Sequence, residues 1–152
     1  MKQGTFLVTH ADEGSATLRD VADGQVVTLS SNPGVEPEEV LEATVQPEPP
    51  MELTWEIVEI DARRTIPVEH TPEAPTRQAV EIADEQPVGE ITRRERAGEG
   101  EIHVLTVPSE ETESAVDDVL DDESTRERAA RLGVERVEIR AAEGVVSVRY
   151  LP

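Results

Sequence analysis

Cysteine is absent from the 152 residues, lysine occurs once, and tryptophan, tyrosine and phenylalanine occur once each. Without cysteine there is no disulfide framework, no thiolate nucleophile and no cysteine-ligated zinc. No stretch of 18 apolar residues is present, so no membrane-spanning helix is expected. Residues 1–30 also lack the basic start, apolar stretch and small-residue cleavage site of a secretory leader. The expectation is a soluble cytoplasmic protein.

What the chain has in excess is negative charge: 34 Asp and Glu against 14 Lys and Arg, a formal net charge of −20. Thirteen of the 14 basic residues are arginine. Solubility alone needs a net charge of only about 2–8, and repulsion among so many like charges opposes a compact state at low salt. In 1 M salt the screening length falls to about 3 Å. The composition therefore reads as adaptation to a concentrated-salt cytoplasm. Leu, Ile, Val and Phe still make up about a quarter of the residues, 20 of them Val. That lies above the roughly one-fifth below which a charged chain stays disordered. A modest core is expected, within one domain or two very small ones.

Residues 1–62 read as five short strands: Gly4–His10, Ser15–Val21, Gln25–Ser30, Val40–Val45 and Leu53–Ile60. Asp23-Gly24 is a hairpin signal, and Gly34 after Asn32-Pro33 supplies a positive φ. In the fifth segment Leu53, Trp55 and Ile57 share one phase while Val58 and Ile60 share the other, which predicts a bulge. Five strands in about 60 residues suggest a small closed barrel. Residues 63–100 are broken by four prolines and read as a connecting segment. Within it Thr76–Ala83 is a short strand or helical turn, and Glu90–Ala97 a short helix ended by Gly98. Residues 101–152 read as strand, helix, strand, strand. Here Ser109 and Ser124 are the helix caps, Val137 and Ile139 point inward, and Arg136, Glu138 and Arg140 point outward. The fold class is α+β: a five-stranded antiparallel barrel-like unit followed by a strand-helix-strand-strand unit.

Three segments carry a family likeness: Gly4-Thr5-Phe6-Leu7-Val8-Thr9-His10, Ile102-His103-Val104-Leu105-Thr106-Val107-Pro108 and Val145-Val146-Ser147-Val148-Arg149-Tyr150-Leu151-Pro152. Together the chain resembles an uncharacterised haloarchaeal family of unknown function, end to end. The resemblance implies a salt-loving archaeal source and supplies no catalytic residues. Through its strand count and the segment from Pro37 to Val45, the first 60 residues are also similar to oligonucleotide-binding barrels.

No motif identifies a reaction. His10 has Asp12 two residues on, and His103 alternates with Ile102 and Val104. A small enzyme built around His10 and His103 is one reading, with hydrogen-bonded structural histidines the plainer one. The serines lack a nucleophile-elbow context. Gly98-Glu99-Gly100 precedes a strand, the reverse of a dinucleotide loop. Neither a cofactor nor a metal is expected, and the acidic run Asp117–Glu123 reads as a hydrated helix face.

Charge is unevenly distributed: net −11 over residues 1–62, −2 over 63–100 and −7 over 101–152. Nucleic acid is therefore not expected at the barrel, whose Phe6 and Trp55 fit core positions rather than stacking platforms. Arg93, Arg94 and Arg96 form the candidate binding segment, for a protein partner or for RNA. Arg63-Arg64 is the other basic pair, and pairing with the chain's own carboxylates is the competing use of both. The expected role is a non-catalytic interaction or accessory module. On dialysis from molar salt to low salt the protein should lose its far-ultraviolet circular dichroism, and an unchanged spectrum would refute the salt-adaptation reading.

Overall fold

A computed structural model describes residues 1–96 and 99–152. They form two compact units, Met1–Ile66 with Arg126–Arg131, and Pro67–Thr125 with Leu132–Pro152. No helix is long and apolar enough to cross a membrane.

The first unit is a closed ring of five strands, β1 (Lys2–Ala11), β2 (Ala16–Asp20), β3 (Val26–Leu29), β4 (Glu39–Pro47) and β5 (Trp55–Thr65), in the order β1-β2-β3-β5-β4. All neighbours are antiparallel except β3 and β5, which close the ring with a parallel pair at Leu29 and Trp55. Alternation sends Phe6, Val8, Leu18, Val27, Leu41 and Val45 into one core. Burying each such side chain is worth about 1.5–3 kcal/mol. The expected bulge in β5 is present. Val45 pairs with Ile57 and Thr44 with Glu59, so Val58 is the extra residue and is left exposed. That one-residue slip returns Ile60 to the side already used by Ile57, and both pack on the core. Leu53 precedes the strand and is exposed, contrary to its expected place beside Trp55.

Loops of the ring are held by local polar bonds. Gly24 and Gly34 both have positive φ, as expected. Asn32 Oδ1 accepts from the N–H groups of Gly34 and Val35, and Val35 is buried against the ring core. The one lysine, Lys2, lies 3.0 Å from buried Asp20 and 2.8 Å from Asp23. Arg63 holds Glu39 through two bonds of 2.9 and 2.6 Å and donates to the Gly34 carbonyl. Residues 126–131 belong to this unit through Arg19–Glu127 (3.4 Å), Arg126–Glu38 (3.6 Å) and a bond from Arg131 to the Val21 carbonyl.

The second unit is a five-stranded sheet in the order β6-β9-β10-β8-β7, from β6 (Val68–His70), β7 (Ile91–Glu95), β8 (Glu101–Thr106), β9 (Arg136–Ala142) and β10 (Val145–Leu151). Its helices are α1 (Arg77–Asp84) and α2 (Thr112–Asp121), with a 3-10 turn at Ser109–Glu111 before α2; of α3 (Glu123–Leu132), residues 126–131 belong to the first unit. Residues 63–100 thus contribute two strands and a helix to a sheet. Thr76–Ala83 resolves as helix: Thr76 caps α1 by accepting from the Ala79 N–H at 3.2 Å, and Ala79, Ile82 and Ala83 pack on Val104 and Val145.

Three expectations are corrected. Glu90–Ala97 is not a helix: Ile91–Glu95 is strand β7, because pairing with β8 outweighs the helix propensity of its Arg and Glu residues. Ala97 and Gly98, the expected helix end, lie outside the described residues. Neither expected serine cap forms. Pro108 and Glu111 precede the 3-10 turn and α2 without a side-chain cap bond, and Asp122, not Ser124, turns its carboxylate back to the Ser124 N–H. Finally, the side of β9 carrying Arg136, Glu138 and Arg140 is not open: Glu138 is buried and Arg140 half-buried. The central strand β10 is covered on both faces, with Val146, Val148 and Tyr150 on one and Val145, Ser147 and Leu151 on the other.

Gly100 is at φ +95°, and a Cβ there would sit 2.0 Å from the Tyr150 carbonyl oxygen. Gly100→Ala should lower stability by more than about 2 kcal/mol in urea unfolding. Gly24→Ala, at φ +78° with open space around it, should cost only about 1–2 kcal/mol.

Arg63 holds the Glu39 carboxyl below its ordinary 4.5, with the Glu36 N–H assisting against desolvation. A depressed carboxyl stabilises the fold above its unfolded pKa and loses that contribution as pH falls through its folded value. Urea midpoints at constant salt should show Glu39→Gln less stable than wild type at pH 6, with the gap closing below pH 4.

Candidate functional site

Successive residues of a strand face opposite sides of the sheet, and this divides the basic segment. Arg94 on β7 pairs in register with Ile102 and faces the α1 side, whereas Arg93 pairs with His103 and faces the other. Arg96, just past the strand, donates from its backbone to Gly100 O and from Nη1 to Glu99 O. Arg94 and Arg96, with Glu95 between them, form one wall of a groove of about 370 Å³; Thr76, Gln78, Ala79 and Ile82 of the α1 region form another, and Ile102 and Val104 lie at its base. Arg93 is not part of it.

Gln86, just after α1, ties the end of the helix to β7 and β8. Its Nε2 donates to Val104 O, Glu90 O and Thr106 Oγ1, and its Oε1 accepts from Thr92 Oγ1. Thr106 Oγ1 in turn donates to Ala83 O at 2.8 Å. Helix and edge strands are therefore tied together by side chains as well as by the apolar contacts of Ala79 and Ala83.

The electrostatic setting is unusual for this chain. Arg93, Arg94 and Arg96 have no carboxylate within ion-pair distance among the described residues, although the chain carries 34. Arg63 is the contrast, spent on Glu39. Arg77 adds a further guanidinium in the first turn of α1, where no acidic residue sits to offset the positive end of the helix.

The histidines fall in different surroundings. His10, at the end of β1, is exposed, with Nε2 3.3 Å from Asp12 Oδ2. Asp12 is principally a turn residue. Its Oδ1 accepts from the N–H groups of Gly14 and Ser15, and those bonds, with His10 adding to them, hold its carboxyl below the ordinary 3.8. His103 belongs to the second unit and is only 4% exposed. Its Nε2 lies 2.8 Å from Glu101 Oε1, and its ring stands 4.9 Å from that of Tyr150. Such a closed arrangement braces β8 against β10. His70 ends β6 and is exposed. No group of three or more His, Asp or Glu able to hold a metal occurs among the described residues, the acidic run of α2 included.

Phe6 is fully buried inside the ring, and Trp55, partly buried, packs against the same core. Sequence reasoning missed the second half of the arginine set, Arg136, Arg140 and Arg149. Alternation with Val137 and Ile139 places Arg136 and Arg140 outward, nothing in the pattern singles out Arg149, and the signal available was that both faces of β10 are buried.

No curated protein and no solved structure matches the chain. The Family of unknown function (DUF5812) matches residues 2–141, nearly the whole of the sequence, and the protein belongs to that family.

Proposed function

We propose that the protein is a non-catalytic accessory module, working in the salt-rich cytoplasm of a halophilic archaeon, that recognises an acidic protein partner through the groove beside α1. One observation carries this reading: Arg94 and Arg96 wall a groove and lack carboxylate partners in a chain with abundant carboxylates. An arginine left unpaired in such surroundings keeps its planar donor fork available for an outside carboxylate or phosphate. The apolar base of Ile102 and Val104 excludes water from part of the contact, which strengthens the polar bonds made at its rim. Arg93 serves the same edge strand from its other side. The net charge of −20 and the single lysine support the salt-rich setting.

The oligonucleotide reading draws support from the same arginines and little from the ring, where Phe6 is buried and Trp55 packs against the core. Immobilised wild-type protein and the variant Arg93→Gln/Arg94→Gln/Arg96→Gln, both checked by circular dichroism, should be compared in salt-matched lysate. The expected result is a protein captured by wild type and lost by the variant, with no excess absorbance at 260 nm. Equal capture by both would overturn the groove as the partner site. Loss of nucleic acid instead of protein would replace an acidic protein partner by RNA.

A further inference from the structure

The face of the second sheet on which α1 packs carries a second set of cations, on the strands next to the groove. Strand register lays it out. Arg94, Ile102, Arg149, Glu138 and Glu69 form one row across the five strands, and Thr92, Val104, Ser147 and Arg140 form the next. Thr71 extends this second row beyond β6, where its backbone N–H bonds to Ile139 O.

Three guanidinium groups converge on one carboxylate. Glu138 takes Arg140 Nε on Oε1, and Arg136 Nη1 lies 3.4 Å from Oε2. Arg149 Nε lies 3.4 Å from Oε1, close enough for attraction but without hydrogen-bond geometry, so its enclosed N–H has no acceptor among the described residues. Among the enclosed groups the charges do not balance: Arg140 and Arg149 face one buried anion, Glu138, while Arg136 is 56% accessible and Glu69, next in the row, is exposed. The second carboxylate, Glu73, reaches Arg140 Nη2 at 2.7 Å from an exposed position, 62% accessible. Arg149 and Arg140 are only 15% and 19% accessible. Burial holds the Arg149 guanidinium below its ordinary range; Arg140, Arg96 and Arg136 act the same way, and Glu138 opposes them. Enclosing surplus like charge is costly unless an anion compensates it.

Two hydroxyls on the same face are also without partners. Ser147 Oγ, on a residue 1% exposed, and Thr71 Oγ1 are both buried with no hydrogen bond among the described residues. Most buried hydroxyls find a partner. Ser147 and Thr71 flank Arg140 along one row, and a cavity of about 50 Å³ opens beside Thr71 and Arg136, with the carboxylates Glu69 and Glu138 also in its lining.

We propose that this face is an oxyanion site for a phosphoryl group, held by Arg140 and Arg149 with the hydroxyls of Ser147 and Thr71, and that Glu73 partly occupies it as an internal competitor. Guanidinium forks match the oxygens of a phosphoryl group, and hydroxyl donors complete its coordination. The exposed Glu73 carboxylate supplies a weaker anion when the ligand is absent and leaves Arg140 when it binds. The phosphoryl group comes either as inorganic phosphate or as the head of a phosphomonoester. Ile102, which lines the groove and pairs in register with Arg149, puts about 370 Å³ of space beside the site for the remainder of an ester.

Phosphate titration of the whole protein, with chloride balancing the ionic strength, tests this by 31P line broadening and by the thermal midpoint. Wild type should respond saturably. Arg149→Gln should weaken binding by about tenfold or more, the loss of a charge-assisted contact. Ser147→Ala removes an unsatisfied hydroxyl, so it should fold at least as stably and bind a few-fold more weakly. Glu73→Gln should bind a few-fold more tightly. Arg93→Gln, on the opposite face of the sheet, should bind as wild type does, which separates loss of this site from a general loss of positive charge. Adenosine monophosphate binding more tightly than phosphate places the ester in the groove, and equal binding confines recognition to the phosphoryl group. A response that rises without saturating and survives Arg149→Gln, Ser147→Ala and Glu73→Gln alike is general salt stabilisation and overturns the proposal.

Discussion

A guanidinium group in a chain with 34 carboxylates has anions on every side, so the positions where arginines lack them reflect the fold's geometry. Most described cations are spent locally. Lys2 and Arg63 tie strand ends to loops, and Arg19 and Arg126 tie helical residues to the ring. The exceptions gather in the second unit. There Arg94 and Arg96 face a groove, and Arg136, Arg140 and Arg149 crowd one buried glutamate. The proposed chemistry lies where arginines lack a carboxylate partner or where enclosed cations outnumber enclosed anions.

Strand β10 makes the second arrangement possible. It is paired on both edges and buried on both faces, which puts Arg149 and Ser147 in the middle of a sheet instead of at its rim. A charged residue there is enclosed by its neighbours' side chains, and each ångström of enclosure strengthens its interactions as it removes water. On the opposite face Val146, Val148 and Tyr150 pack, and His103 closes against Tyr150. One strand therefore separates an apolar face from an ionic one.

Much of the ring was legible because its information is local. Asp23-Gly24 turned where expected, Leu41, Ala43 and Val45 shared a face, and the phase change between Ile57 and Ile60 announced the bulge at Val58. Period-two alternation with one face buried is the pattern that strand reading detects best. Ile91–Glu95 was misread because Glu and Arg are good helix formers, and the partner that makes them a strand, β8, begins only at Glu101. The caps failed for a related reason: Ser109, Ser124 and Asp122 are all competent, and the choice fell to Asp122 through the local path of the chain.

By itself the sequence determined composition and period: a small Val-rich core, two sets of strands, and a strong excess of carboxylates over cations. The tertiary structure decided which arginines meet. Arg93 and Arg94 are adjacent in the chain but face opposite sides of a sheet, whereas Arg94 and Arg149, 55 residues apart, share a row on one face. Strand order and register set that pairing. They depend on contacts distant in sequence, and no local pattern of residues encodes them.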